Sequence, residues 1–323
     1  MDKEEKNVEM VHLSPYMKSV IERLTADKKR PAVHTATLNS FTKFFGGQGT
    51  EEMLVTDVFT AGKLKEYEAW LRSRNASWNT VSTYMRVLKA VYNRLVEAKR
   101  LTYDARLFDS VYTKVEAQSK RSLTEEQMNT LLHTDFEKLP EDVQNVLAYF
   151  LLMFLFRGMP FIDMAYLRKQ DLKEHCITYC RHKTGKKMVV RIPHEATALF
   201  EKCRNKKTDS GYLFPILDET TENDKKLYEN YRQALRTFNR KLAKMAALLL
   251  PGTNISSYTA RHTWATLAFY SGIPIGIISK ALGHSSIKVT ETYLKPFENE
   301  KVDAANDELI MSVVKRSKEK IVA

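Results

Sequence analysis

Between Ser256 and Pro296 the chain reads SSYTARHTWATLAFYSGIPIGIISKALGHSSIKVTETYLKP, which carries Arg261, His284 and Tyr293 within one short stretch. Their chemistries are complementary. A guanidinium is a planar fork that meets two phosphate oxygens and stays charged. An imidazole can donate, accept or carry a proton near neutral pH. A phenol is a nucleophile whose phenolate leaves more readily than an alkoxide, so its attack on phosphorus is reversible. A nucleophile, cations for the non-bridging oxygens and an acid for the leaving 5′-oxygen together open a phosphodiester without metal or nucleotide cofactor. Singly these residues are ordinary, because a tyrosine late in a helix usually packs and a histidine at a helix boundary usually caps. Their spacing is what sets them apart.

Three short helices are expected to carry them. Ser256 and Ser257 can cap a helix running to about Tyr270, which Gly272 ends. Ile273 to Leu282 reads as a second helix with Gly283 in the closing position, so His284 sits on the following turn. Ser285 and Ser286 can cap a third, whose Ile287, Thr290 and Leu294 share one face, with Pro296 after its end. Tyr293 then lies near the end of a short, weak element.

ARHTWATLA followed by LGHSSIKVTETY, with Tyr293 nine places after His284, resembles the C-terminal signature of the tyrosine recombinases, the phage-integrase family. The resemblance implies that Arg261 and His284 are active-site residues and that Tyr293 attacks DNA. The bond energy would be kept in a 3′-phosphotyrosine until a second 5′-hydroxyl exchanges strands. It further implies a hairpin lysine as general acid, which Lys183 in RHKTGKK matches, with Lys186 and Lys187 as rivals. Two positions depart from the pattern. Aligning FRGMPF with the family's TGLR-like segment puts Pro160 where its first arginine stands, and Arg157, one helical turn earlier, is the expected substitute. This shift is similar to the Bacteroidetes branch of the family. Tyr258 stands where the family's His-x-x-Arg has its histidine; it can donate one hydrogen bond but cannot become a cation. His262 is expected to buttress the site from behind, and Trp264 to pack.

Composition agrees with a polyanionic partner. The 323 residues hold 51 Lys and Arg against 39 Asp and Glu, a net charge of +12, with a pI near 9.4. That balance favours nucleic acid first and a membrane surface second. The start, MDKEEKNVEM, lacks the apolar core of a signal peptide. VLAYFLLMFLF, residues 146–156, is the longest apolar run, too short to span a membrane and better read as a helix buried on all sides. No membrane anchor is expected. Cys176, Cys180 and Cys203 are odd in number and unpatterned, which suits reduced thiols in a cytosol. HCITYCRH matches no usual zinc-ligand spacing and reads as part of a β-hairpin, so no metal site is expected.

The fold expected is mainly α with a small β-hairpin or sheet, in two domains. Residues 1–111 form a compact helical unit: apolar positions recur from Leu13 to Phe45, Val55 to Phe59 could be a turn or strand, and Lys63 to Arg74 reads as a helix. Another begins at Asn79 or Thr80, with Val81, Tyr84, Leu88, Val91, Tyr92 and Leu95 as its apolar stripe. Its other face is basic, through Arg86, Lys89, Arg94, Lys99 and Arg100, and can track phosphates. By resemblance this unit is a SAM-like core-binding domain that grips DNA opposite the catalytic domain. A basic linker at 112–121, carrying Lys114, Lys120 and Arg121, suits a strap across DNA. In 122–323, Thr124 and Gln127 have capping-box spacing, Ile177–Cys180 and Met188–Ile192 are strand-like around a turn at Thr184–Gly185, and helices follow at about 193–206 and 225–247.

The function this implies is site-specific recombination: integration, excision or inversion of DNA segments by cleaving and rejoining strands. Its partner is double-stranded DNA with specific sites, bound by four subunits on two sites, with DNA-bending accessory proteins as possible helpers, in a bacterial cytoplasm at the nucleoid. The tail after Pro296, with its apolar DELIMSVV, can dock on a neighbouring subunit or on its own domain. Two other readings stay open. One is a DNA-binding protein of the same fold that has lost its chemistry, for which Pro160 and Tyr258 argue. The other is a type IB topoisomerase-like activity that relaxes supercoiled DNA.

Overall fold

The computed structural model describes residues 10–27, 31–46, 52–116, 122–218, 223–294, 302–303 and 305–311. It divides into two compact units, Met1–Gln118 and Ser119–Ala323.

The first unit holds α1 (Leu13–Ala26), α2 (Ala32–Phe44), α3 (Val55–Val58), α4 (Ala61–Ser73) and α5 (Trp78–Glu97). The helix that the sequence expects to begin at Asn79 or Thr80 starts earlier, because the Ser77 hydroxyl accepts from the Thr80 amide at 3.2 Å and caps it. Its apolar stripe buries Val81, Leu88, Val91, Tyr92 and Leu95 against Phe41, Leu64 and Tyr67. The segment expected as a turn or strand is one helical turn, α3, whose Val55 and Val58 are both buried in this core. Lys99 and Arg100 fall beyond α5: the Lys99 backbone is left-handed (φ +57°), and the Arg100 amide returns to the Leu95 carbonyl at 2.8 Å.

The second unit runs α6 (Glu125–Leu132), α7 (Glu141–Leu155), α8 (Phe161–Tyr166), β1 (Leu172–Lys173), β2 (Cys176–Cys180), β3 (Lys187–Arg191), α9 (Thr197–Cys203), α10 (Asp224–Leu249), α11 (Thr259–Tyr270), α12 (Ile275–Ala281) and α13 (Ile287–Glu291). Helix α7 is the apolar run, and α9, α10 and α11 pack around it. The hairpin gains a third strand that the sequence did not announce, giving an antiparallel sheet in the order β1-β2-β3. Ile177 faces Val190 and Tyr179 faces Met188 across the hairpin, and all four are buried on one face. The expected caps of the last helices differ in detail. Neither α11 nor α13 has a side-chain cap bond; Tyr258 occupies the cap position of α11, and the Ser256 amide donates instead to Thr259 Oγ1 at 2.9 Å. Pro274 precedes α12, so that helix starts two residues later than expected. Ile287 is exposed while Thr290 and Leu294 are buried, so the shared face is narrower than its spacing suggests. Among the described residues no helix is long and apolar enough to cross a membrane.

Candidate active site

Arg261 lies in the first turn of α11 and is only 2% exposed. Its Nη1 donates to the Gly158 carbonyl at 2.8 Å, and its Nη2 reaches both the Leu282 carbonyl and, at 3.1 Å, His284 Nε2. The turn after α7 approaches so closely that a Cβ on Gly158, at φ +67°, would stand 3.0 Å from the Arg261 Cα. Only glycine meets both conditions there.

His284 follows α12 through Gly283, whose φ of +66° lets the chain turn back, and the His284 amide closes the helix on the Ser279 carbonyl at 3.0 Å. The imidazole is 5% exposed, with Nδ1 3.0 Å from Thr290 Oγ1. A guanidinium only donates, so Nε2 accepts from Arg261 and the ring proton belongs on Nδ1, toward Thr290. Burial, then the charges of Arg261, Arg181, Lys183 and Lys186, hold the pKa of His284 down at about 3. The ring is therefore neutral at physiological pH.

Tyr293 stands in the turn just past α13, its amide bonded to the Thr290 carbonyl at 2.8 Å. Its ring packs 4.9 Å from that of His284 and 4.7 Å from that of His262, and the Arg261 guanidinium carbon lies 5.5 Å from its centroid. Ala265, Ala268, Ile278 and Leu282 form a small core beneath it, with Trp264 packed against them. Tyr258 belongs to the same neighbourhood: partial burial and then the nearby Tyr293 push its phenol above the ordinary range, against the opposing charges of Arg261 and Arg181.

The hairpin tip approaches from the sheet. The Arg181 and Gly185 backbones close it, with Gly185 donating to the Arg181 carbonyl at 2.8 Å. Lys183 is exposed at the tip and its charge is felt by His284, while Lys186 Nζ donates to the His284 carbonyl at 3.3 Å. Arg157 does not join this cluster. It is exposed, with φ +59°, and its hydrogen bond runs to the Val189 carbonyl on β3 at 3.4 Å. The left-handed turn after α7 carries its side chain onto the outer strand.

The cluster contains a pair that the sequence reading passed over. Arg181, 4% exposed, donates through Nη1 to the Gly283 carbonyl at 3.2 Å, and its Nε lies 3.7 Å from Asp163 Oδ2. Asp163 Oδ1 accepts the His182 amide at 2.9 Å; burial raises its pKa, against that hydrogen bond and the charges of Arg181 and Arg261. A signal for Arg181 was present: strand alternation turns Ile177 and Tyr179 inward, and the next position of that parity is 181.

In the first unit Arg86 and Lys89 are exposed on α5, Lys89 Nζ lying 5.6 Å from the Phe108 ring centroid. Arg94 is half-buried and near His34, whose pKa it helps burial to lower. Lys120 and Arg121 lie outside the described residues.

A sequence profile of the phage integrase family matches residues 121–300, and one of the phage integrase SAM-like domain matches residues 12–106. Tyrosine recombinase XerA of Pyrococcus furiosus is 26% identical over 243 residues, 73% of this chain and 76% of that protein. Among solved structures, the Tn1549 transposon integrase in complex with a circular intermediate DNA superposes with a TM-score of 0.63 at 16% identity, covering 93% of this chain and all of that one. A lambda integrase tetramer bound to a Holliday junction gives 0.63 at 13% identity, covering 90% and 78%. A two-part fold of this kind, matched by profiles over both parts, shows that the chain belongs to the phage integrase family and is a tyrosine site-specific recombinase.

Proposed function

We propose that Tyr293 is the nucleophile of this recombinase, and that the convergence of Arg261, His284 and Tyr293 in one cluster is the observation that carries this reading. The phenol oxygen attacks the scissile phosphorus and gives its proton to solvent, the 5′-oxygen leaves, and the DNA 3′-end remains on the tyrosine; attack by another 5′-hydroxyl on that ester runs the same proton transfers in reverse, restores the phenol and rejoins the strands. Arg261 neutralises the non-bridging oxygens. Lys183 protonates the leaving oxygen. Its exposure at the hairpin tip suits a group that meets DNA, whereas Lys186 is already engaged with the His284 carbonyl. A neutral His284 orients Arg261 through Nε2 rather than adding a cation. Tyr258 supplies one further hydrogen bond to phosphate.

The remaining assignments extend this reading to the whole protein. Residues 1–111 bind core DNA, with Arg86, Lys89 and Arg94 of α5 contacting phosphates. Residues 112–121, including Lys120 and Arg121, form the basic strap, and 122–323 carry catalysis. Four subunits act on two DNA sites, with accessory DNA-bending proteins where geometry requires them. Its outcome is integration, excision or inversion of DNA segments, the last as in phase variation. The site of action is the bacterial cytoplasm, at the nucleoid.

Covalent trapping tests the core of this proposal. The protein and its Tyr293→Phe variant are incubated with nicked duplexes made from repeats flanking the gene, and a denaturant-resistant protein–DNA band is sought. A band with the parent alone is expected. Binding of those duplexes by both proteins with no band from either would favour a DNA-binding protein without chemistry.

A further inference from the structure

We infer that Arg181, contributed by the end of β2, is a second phosphate-binding arginine of the active site and grips a non-bridging oxygen of the scissile phosphate beside Arg261. The inference rests on the reading of Tyr293 as nucleophile. Three observations carry it. First, the two guanidinium groups lie along one turn: Arg261 bonds the Leu282 carbonyl and Arg181 the next one, Gly283, immediately before His284. Second, each keeps donor capacity. Among the described residues the Nε of Arg181 and the Nε of Arg261 are both buried without a hydrogen-bond partner, although a guanidinium has five N–H groups to satisfy.

Third, the local charge is unbalanced. Arg181 and Arg261 are both nearly fully buried, and among the described residues one buried carboxylate, Asp163, faces Arg181 and feels both charges. His284 is neutral and compensates nothing. A buried cation without a counter-ion is costly, so the cluster is short of one anion. The Asp163 Oδ2 to Arg181 Nε separation of 3.7 Å is an ion pair without a hydrogen bond, which leaves the guanidinium held in position with its Nε unpaired. A phosphodiester, with one negative charge shared over two oxygens, supplies the missing charge. The same geometry explains Pro160: the arginine expected in the turn after α7 is replaced from the sheet, and Asp163 on α8 positions the replacement. Arg157, exposed and bonded to Val189, takes no part in this pocket.

The test uses the full chain and the nicked duplexes tiled from DNA flanking its gene, each made with an ordinary scissile phosphate and with a methylphosphonate, whose methyl group replaces one non-bridging oxygen and removes its charge. Covalent band formation is followed for the parent, Arg181→Ala, Arg181→Lys and the double variant Arg181→Ala with Asp163→Ala. The double variant leaves no unpaired buried carboxylate, so it guards against simple misfolding, and thermal unfolding and duplex retention are recorded for all four. The expected result is a loss of about 100-fold or more in cleavage of the ordinary phosphate for Arg181→Ala and the double variant. Arg181→Lys, which keeps charge without the fork, should lose less. Methylphosphonate should restore cleavage to both alanine variants, because the charge they cannot neutralise is gone.

Cleavage of ordinary phosphate at the parental rate by Arg181→Ala overturns the inference. So does a loss that methylphosphonate fails to relieve in a double variant that melts and binds as the parent does, since a purely structural role would give that pattern. A fifth protein, Arg157→Ala, is assayed alongside with both phosphates; loss and rescue there instead of in Arg181→Ala would overturn the inference and move the assignment to Arg157. A parent chain that binds the duplexes yet forms no band would remove the Tyr293 reading and this one with it.

Discussion

A histidine that accepts a hydrogen bond from an arginine on Nε2 has no lone pair left there for a proton. With Nδ1 committed to Thr290 and Arg261 adjacent, His284 resists protonation down to about pH 3. Its folded pKa lies below the unfolded value of 6.5, so between those limits the unfolded chain binds a proton that the folded one does not. The stability this provides is complete above pH 6.5 and falls as pH drops through the window. The melting temperature of the parent should therefore fall more steeply between pH 6.5 and 4 than that of His284→Gln, which cannot titrate; calorimetry at several pH values checks this. Asp163, whose pKa burial raises, acts with the opposite sign but is common to both proteins and cancels. Gly158 is the other sensitive residue. Gly158→Ala forces a Cβ to within 3.0 Å of the Arg261 backbone at positive φ. It should cost about 1–3 kcal/mol in denaturant unfolding and, by displacing Arg261, lower cleavage more than duplex binding.

Elements as well as residues determine whether the site assembles. Three short helices carry Arg261, His284 and Tyr293, and none of them is stable alone; they are held by the small core of Ala265, Ala268, Ile278, Leu282 and Leu294. The sheet delivers Arg181, Lys183 and Lys186 because a tight turn at Gly185 brings β2 and β3 back together (φ +67° at Gly185). Helix α6 is joined to the site as well: the Leu123 amide just before it donates to Thr263 Oγ1 at 2.9 Å, two residues beyond Arg261. Its start is a reciprocal capping box, Gln127 amide to Thr124 Oγ1 at 3.1 Å and Thr124 amide to Gln127 Oε1 at 3.0 Å. Thr124→Ala should destabilise the protein by about 1 kcal/mol, seen as a shift in the urea midpoint with an unchanged slope.

At the scale of the molecule, each unit has its own core, one centred on Phe41, Tyr67 and Leu88, the other on α7. A net charge of +12 favours a polyanion as partner. The tail bears on assembly. Leu309, Ile310 and Met311 are helical and exposed, an apolar group at the surface. If this segment docks on a neighbouring subunit, deletion of 303–323 should abolish tetramers on paired DNA sites while leaving binding to a single site within a few-fold. Native gels with one and two sites separate the outcomes, and unchanged tetramers would refute docking in trans.

The sequence by itself determined the kind of protein this is. Helical periodicity marked α1, α2, α4, α5 and α10, strand alternation marked the hairpin, and the order of ARHTWATLA and LGHSSIKVTETY identified the residues that come together, because local pattern and residue chemistry are written in neighbouring positions. What it could not determine was the partner of a side chain distant along the chain. In one dimension Arg157 was the expected cation and Arg181 went unmarked. Only the positive φ after α7 turns the first outward to Val189, and only the pairing of β2 with β3 beneath the Gly283 turn brings the second beside Arg261. The neutrality of His284 is likewise a tertiary property, since it arises from burial, from the charge of Arg261 and from charges contributed by Arg181, Lys183 and Lys186 about a hundred positions away in the sequence.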